Sequence, residues 1–209
     1  MADLVPAVRV RKPIDTDELN DIYFPAKQAI GDNGESITVE GRGYTGGPLT
    51  ITRPSNTTAY TAGDVIGVAD SGTPANAGSA VLEFTTVGPT GGWIRIDAVD
   101  LSIGRTSLPS GMTSFRLHFY VAAPTAILDN AVFSANSADR TFYRGYVDIP
   151  QIEAIGGGFL YRSVDYVGRF IKLANGSTSL WGVLQTNGAF TPDSGTVYTL
   201  AIRSIEVGL

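Results

Sequence analysis

Five acidic side chains, Asp97, Asp100, Asp148, Glu153 and Asp165, are the residues with which this chain could run general acid–base chemistry on a glycosidic bond. That reaction needs two carboxyl groups about 5–10 Å apart across a sugar ring. Any acidic protein of this size offers such pairs, so their spacing in sequence selects none of them. The single histidine, His118, is too few for a histidine-based zinc site, and no G-x-S-x-G turn is present to give it a serine to activate. It falls in the outward phase of a strand beside Arg116 and Tyr120, which predicts a surface or subunit-contact histidine. Cysteine is absent, so disulfides, thiolate metal sites and cysteine nucleophiles are excluded. No catalytic residue, cofactor or metal is expected; a glycosidase or esterase is the least favoured class.

Two short motifs fail the context their chemistry needs. GRGYTG (41–46) has the G-x-G-x-x-G spacing of a dinucleotide site, but that site needs a helix N-terminus after the glycines. Gly47-Pro48 and a strand follow here, so a turn is expected. GDNGES (31–36) lacks the alternating ligands of a calcium loop and is expected to turn on Asn33-Gly34. The sequons at Asn56 and Asn175 are likewise expected to be turn residues.

The elements that would position these side chains are short and β-rich, separated by clusters of Gly, Pro, Asn and Ser. Strands are expected at 36–39, 49–53, 64–69, 80–87, 93–103, 114–121, 140–149, 159–164, 166–173, 178–186 and 196–207. In 80–87, Leu82, Phe84 and Thr86 share a face. In 114–121, Phe115, Leu117 and Phe119 point inward. In 93–103 the aliphatic phase flips between Ala98 and Val99, which a period of two cannot do without a β-bulge. In 196–207 a similar flip, from Ile202 to Ile205, predicts a second bulge. The segments 159–164 and 166–173 are apolar on both faces, which predicts cover from another layer or a neighbouring subunit.

About eight main strands after residue 48 predict an all-β fold, a jelly-roll-like antiparallel sandwich over 49–209. An immunoglobulin-like sandwich is the near rival, but it needs only about 100 residues. Residues 1–48 are expected to form an N-terminal extended arm with a short helix and a hairpin. Arg9, Arg11 and Lys12 make the arm basic, and Leu19, Ile22 and Tyr23 share one face of a two-turn helix bracketed by prolines at 13 and 25. A loose leader is the alternative.

The chain has 209 residues, 43% of them hydrophobic, and a formal charge of −5. A core of ordinary size is available without staples. The charge argues against nucleic-acid binding, which needs a clustered basic surface. No apolar signal core or membrane-length run occurs, so a soluble product of a reducing host cytoplasm is expected. Aromatic and arginine residues interleave in RTFYRGY (140–146) and FLYRSVDYVGRF (159–170). Arg140, Phe142, Tyr143, Arg144, Tyr146, Tyr161, Arg162, Tyr166, Arg169 and Phe170 are the types that anchor protein interfaces, and they are expected to form one between subunits.

The stretch LTITRPSNTTAYTAGDVIGVA, beginning at Leu49, resembles a segment that opens a β-sandwich in accessory virion proteins of tailed bacteriophages. Thr52, Arg53, Pro54, Asn56, Thr57, Thr58, Tyr60, Gly63, Asp64 and Val65 carry the resemblance, which continues loosely through 84–103 and 114–125. It implies a capsid decoration or cement protein on the outer surface of the head. Its expected partners are the major capsid protein and its own copies, with a trimer ahead of a dimer. The arm would then lie across the shell or add a strand to an exposed edge. A tail- or fibre-associated carbohydrate-binding module is the alternative, with Tyr44 and Trp93 as its exposed aromatics.

Overall fold

A computed structural model describes residues 28–30, 36–38, 41–69 and 78–208. The arm residues Arg9, Arg11, Lys12, Leu19, Ile22 and Tyr23 lie outside the described residues. Two short strands, β1 (Gln28–Ile30) and β2 (Ser36–Thr38), pair antiparallel. The body follows as β3 (Gly43–Thr52), β4 (Val65–Ile66), β5 (Val81–Phe84), β6 (Trp93–Ile103), β7 (Phe115–Tyr120), β8 (Tyr143–Ile149), β9 (Glu153–Ala154), β10 (Leu160–Lys172), β11 (Leu180–Thr186) and β12 (Val197–Val207). A 3-10 turn, Ser137–Thr141, precedes β8, and the Asn136 side chain caps it by accepting from the Ala138 amide.

The body strands form two sheets. One has the order β3-β12-β6-β10-β9, the other β4-β11-β7-β8, with β5 also on β11. Omitting the two-residue β9, and taking β4 and β5 as one interrupted strand, the strands interleave as in two wound Greek keys: first, last, third and sixth in one sheet, second, seventh, fourth and fifth in the other. This is the strand order of a jelly roll. The fold is all-β and antiparallel.

Packing follows from the period of two. Phe115, Leu117 and Phe119 of β7 face Tyr198, Leu200 and Ile202 of β12 across a shared core, all of them buried. Each such side chain contributes about 1.5–3 kcal/mol by leaving water. On β6 the consecutive Ala98 and Val99 are both buried. There β12 pairs Arg203 with Ala98 but Ser204 with Ile96, so β6 carries the extra residue expected of its bulge.

The second expected bulge lies elsewhere. β12 keeps its phase through the buried Ser204, whose hydroxyl donates to the Val87 carbonyl. The extra residue sits on the partner β3, between Gly46 and Leu49. GRGYTG is correspondingly the start of β3 and no turn: a Cβ at Gly46 would lie 2.4 Å from Val87 Cγ1, so this position admits the neighbouring layer only as glycine. β5 ends at Phe84; Thr86 is exposed with φ 57°, and Val87 is buried in its place.

The outer face of the β4-β11-β7-β8 sheet is covered as well. Residues 121–142 cross it, and Ile127 and Phe133 pack with Val65, Ala80, Tyr120, Tyr143, Trp181 and Val183 in a second small core. His118 is therefore 4% exposed and not a surface histidine. It stacks on Phe133 at 3.8 Å, with Nδ1 3.1 Å from Tyr143 Oη and Nε2 2.9 Å from Gln185 Oε1. The Gln185 amide nitrogen donates to the Gly63 carbonyl, which leaves Oε1 to accept. His118 thus carries its proton on Nε2 and accepts from Tyr143 on Nδ1. Burial foremost holds its pKa below the ordinary value.

A candidate adhesive edge

The motif that carries the sequence resemblance folds into a buried polar knot. Arg53 is 1% exposed. Its Nε donates to Tyr60 Oη at 3.0 Å, Nη1 to the Asn56 carbonyl at 2.6 Å, and Nη2 lies 3.5 Å from Asp129 Oδ2. Tyr60 Oη in turn donates to Asp129 Oδ1 at 2.6 Å, and the Gly67 amide donates to the same oxygen at 2.8 Å. Asp64 accepts from the Thr61 amide. Arg53, Asn56, Tyr60 and Asp64 therefore hold a corner of the sandwich. Asp129, nearly seventy residues downstream of Tyr60, completes the knot and has no signature in the motif itself.

The five carboxylates suited to acid–base work are each matched by a guanidinium. Asp97 pairs with Arg95, Asp148 with Arg116, Glu153 with Arg162, and Asp100 and Asp165 share Arg203. Tyr161 adds a hydrogen bond to Asp100 at 2.8 Å. Asp100, Asp165 and Arg203 lie on three adjacent strands, β6, β10 and β12. Among the described residues no cluster of three or more His, Asp or Glu is placed to hold a metal. Tyr44 donates to Glu206 at 2.9 Å, and Trp93 is 36% exposed at the start of β6.

Of the interface residues expected from 140–146 and 159–170, Tyr146, Tyr166, Arg169 and Phe170 come together on one side of the sandwich. β8 pairs only with β7, and β10 meets β9 only at Leu160 and Tyr161, so both present a free edge beyond that point among the described residues. The two edges belong to opposite sheets and touch. Arg169 Nη1 donates to the Arg144 carbonyl at 3.0 Å. Gly145 makes this approach available: a Cβ there would stand 2.5 Å from the same Nη1.

β10 is one strand, not two, and it is broken by a bulge. Its partner on β6 changes from Ala98 opposite Asp165 to Ile96 opposite Arg169, which leaves surplus residues on β10. Tyr166 sits in that surplus with φ 59°, a left-handed conformation unusual for an aromatic residue, and is 92% exposed. Among the described residues no second layer covers this segment: Tyr166 and Phe170 (59% exposed) turn outward while Val164 and Val167 pack on the core.

Between bulge and β8 lies a broad groove of about 530 Å³, lined by Tyr146, Val147 and residues 164–170. Four expected interface residues, Tyr146, Tyr166, Arg169 and Phe170, line it. Phe142 is 39% exposed at the start of β8, and Arg140 is exposed on the preceding turn. Arg144 is half-buried and donates to the Thr141 and Tyr143 carbonyls. Tyr143 turns away into the second core, where burial raises its pKa; Tyr161 and Arg162 belong to the outer-face ion network. Arg116 lies 3.8 Å over the Tyr146 ring, fixing that ring by a cation–π contact. Arg169 Nε is buried and has no hydrogen-bond partner among the described residues. Val164, Val167 and Gly168 are the lining residues that sequence reasoning passed over. An isolated glycine inside a strand pattern is a bulge signal, and Gly168 was that signal.

Chemically, this groove offers flat aromatic faces, one cation, Arg169, and backbone edges unpaired among the described residues, with its one carboxylate, Asp165, held by Arg203. That set suits adhesion to another folded or extended chain.

Comparison with known proteins returns little sequence kinship. No family profile and no curated protein matches. Among solved structures, a chain of the Israeli acute paralysis virus full particle aligns over 97% of this chain and 85% of its own, at 13% identity and a TM-score of 0.26. A chain from a marine algae virus of the order Picornavirales aligns over 100% and 85%, at 10% identity and a TM-score of 0.17. A chain of the T13 IBDV viral particle aligns over 88% and 44%, at 14% identity and a TM-score of 0.16. At these scores the strands do not superpose one by one, and the jelly-roll assignment rests on the strand order described above.

Proposed function

We propose that this protein is a structural component of a virus particle, a decoration or cement protein on the outside of a tailed-phage head. It works by adhesion: many copies bury area on neighbouring shell subunits, and the shell cannot expand or shear without breaking those contacts. Binding the mature lattice in preference to other states stabilises it by mass action. The observation that carries this is the β8–β10 edge, where Tyr166 and Phe170 stand exposed beside unpaired strand edges in a chain whose candidate catalytic carboxylates are all neutralised by arginines. The resemblance of the Arg53–Val65 stretch to accessory virion proteins supports the same reading. That stretch serves the scaffold, which agrees with a family trait that is architectural and not catalytic.

The experiment is imaging of undecorated heads incubated with purified protein. Added density at symmetric positions on the shell is expected, with loss of occupancy for the Tyr166→Ala, Phe170→Ala double variant. Density confined to tails or fibres, or turnover of a glycan or ester by the pure protein, would overturn the proposal. Deleting residues 2–30 is also expected to abolish attachment.

A further inference from the structure

We infer that one ordered water is built into the end of the sandwich where β12 begins, held between Arg105 Nη1 and Tyr198 Oη. Strand register brings these groups together. Tyr198 lies across from Ile51 of β3 on one side and Ile103 of β6 on the other. Arg53 follows Ile51 by two residues, and Arg105 follows Ile103 by two. The tyrosine thus starts between two strands that each lead into an arginine. Asp193, just before β12, joins the two arginines: its carbonyl lies 3.4 Å from Arg53 Nη1 and its carboxylate 3.0 Å from Arg105 Nη2.

The donors of Arg53 are all taken up. Nε bonds Tyr60, Nη1 the Asn56 and Asp193 carbonyls, and Nη2 the Asn56 side chain and Asp129. Arg105 Nη1 and Tyr198 Oη are different: both atoms are buried, and neither has a hydrogen-bond partner among the described residues. Tyr198 itself is fully buried. Buried polar groups are almost always paired, with protein or with ordered water, and here two orphans lie at one end of one sheet.

Charge names the ligand. Arg105 is matched by Asp193 and Arg53 by Asp129, so the cluster holds no surplus positive charge for an anion to balance. The phenol is neutral: burial foremost holds its pKa well above the ordinary value, and Arg53, Asp129, Arg105 and Asp193 are the charged groups that act on it. A guanidinium only donates, so the ligand must accept from Arg105, whereas the phenol can donate or accept. Water meets both demands. Chloride accepts as well, but it would bring a charge into a neutral, buried cluster.

Through this water the polar knot around Arg53 reaches β12 and the end of β6. Asp193 is the joint of the extended network, because its carbonyl also accepts from Thr196 Oγ1 at 2.8 Å and so ties the turn to the strand. Phe115 meets the Tyr198 ring edge-on at 6.2 Å and holds the hydroxyl in place. The water site stands independently of the adhesive edge.

The test is a crystal structure of the full chain at a resolution that shows ordered solvent. A water peak about 2.7–3.2 Å from both Arg105 Nη1 and Tyr198 Oη is expected. Two groups bonded to each other, or bridged by a side chain, overturn the inference. Thermal melts of Tyr198→Phe give a second readout, and phenylalanine keeps the ring against Phe115 so that the variant folds. With the water in place the substitution removes one of its partners, and Tm is expected to fall by about 2–4 °C. Removing an unpartnered hydroxyl is neutral or stabilising, so an unchanged or raised Tm overturns the inference. Exchanging sodium chloride for sodium gluconate at fixed ionic strength reads the ligand class. The same response in wild type and Tyr198→Phe is expected; a fall in Tm on chloride withdrawal that is confined to wild type overturns the assignment to water.

Discussion

Replacing Arg53 by methionine tests whether the resemblance motif is a structural knot. Arg53 is 1% exposed and its guanidinium bonds Tyr60, Asn56 and Asp129. Methionine keeps much of the volume and removes every donor. Asp129 would then remain buried with Tyr60 and the Gly67 amide as its only partners among those described. Breaking a buried charge pair from one side costs about 3–5 kcal/mol. For a protein of this size that corresponds to a fall in Tm of about 10 °C. Asp129→Asn keeps an acceptor for Tyr60 and Gly67, and the double variant should lose less than the sum of the two by about 1 kcal/mol or more.

The pH dependence gives a further handle on the same site. Burial foremost raises the Asp129 pKa, while Tyr60, Gly67 and Arg53 pull it down. Without Arg53 it rises further. A carboxyl whose folded pKa exceeds its unfolded value favours the fold below the unfolded pKa and loses that contribution as pH rises through the folded pKa. The Arg53→Met deficit should therefore be larger at neutral pH than at about pH 4.5. Urea unfolding followed by the fluorescence of Trp93 and Trp181 measures it. A deficit below about 1 kcal/mol, or one indifferent to pH, would show that the motif does not hold the corner.

Three other outcomes are expected. Gly46→Ala forces a Cβ to within 2.4 Å of Val87 Cγ1 and should cost about 1–3 kcal/mol, partly recovered by Val87→Ala in urea melts. His118 has a folded pKa below its unfolded value, so the unfolded chain binds more protons on acidification. Stability should then fall as pH drops below about 6.5, by at most about 1.4 kcal/mol per pH unit, and His118→Gln should flatten that slope in thermal scans. Tyr166→Gly relieves a left-handed aromatic residue and should raise stability by about 1 kcal/mol while lowering attachment to shells; a variant that attaches normally would remove Tyr166 from the adhesive edge.

Strand positions and the β6 bulge were legible because they depend on a period of two, and Ala98 beside Val99 breaks that period locally. The exposure of β7's outer face was not. Arg116, His118 and Tyr120 do share the face opposite Phe115 and Phe119, but what covers that face is a segment some fifteen residues downstream, through Phe133 and Ile127. Similarly, the aliphatic flip at Ile205 marks no bulge of β12, which keeps its phase through the buried Ser204. The irregularity belongs to β3, whose pairing with β12 is a long-range fact that no window over 196–207 contains. The aromatic–arginine composition of 140–146 and 159–170 pointed to one edge, and Tyr146, Tyr166, Arg169 and Phe170 do meet there. Tyr143 and Tyr161 do not, because alternation sends neighbouring residues to opposite faces.

The position of β12 between β3 and β6 has a consequence for how the molecule comes into being. Thr52 finds its partner in Val197, and Gly43 in Ile205. Until that late strand emerges from the ribosome, β3 and β6 have a vacant lane between them, and neither can complete its ladder. Closure is thus a non-local event, slow by the standards of small proteins. During synthesis the nascent chain holds two sticky borders apart, a period in which chaperone capture or premature association competes with the final insertion.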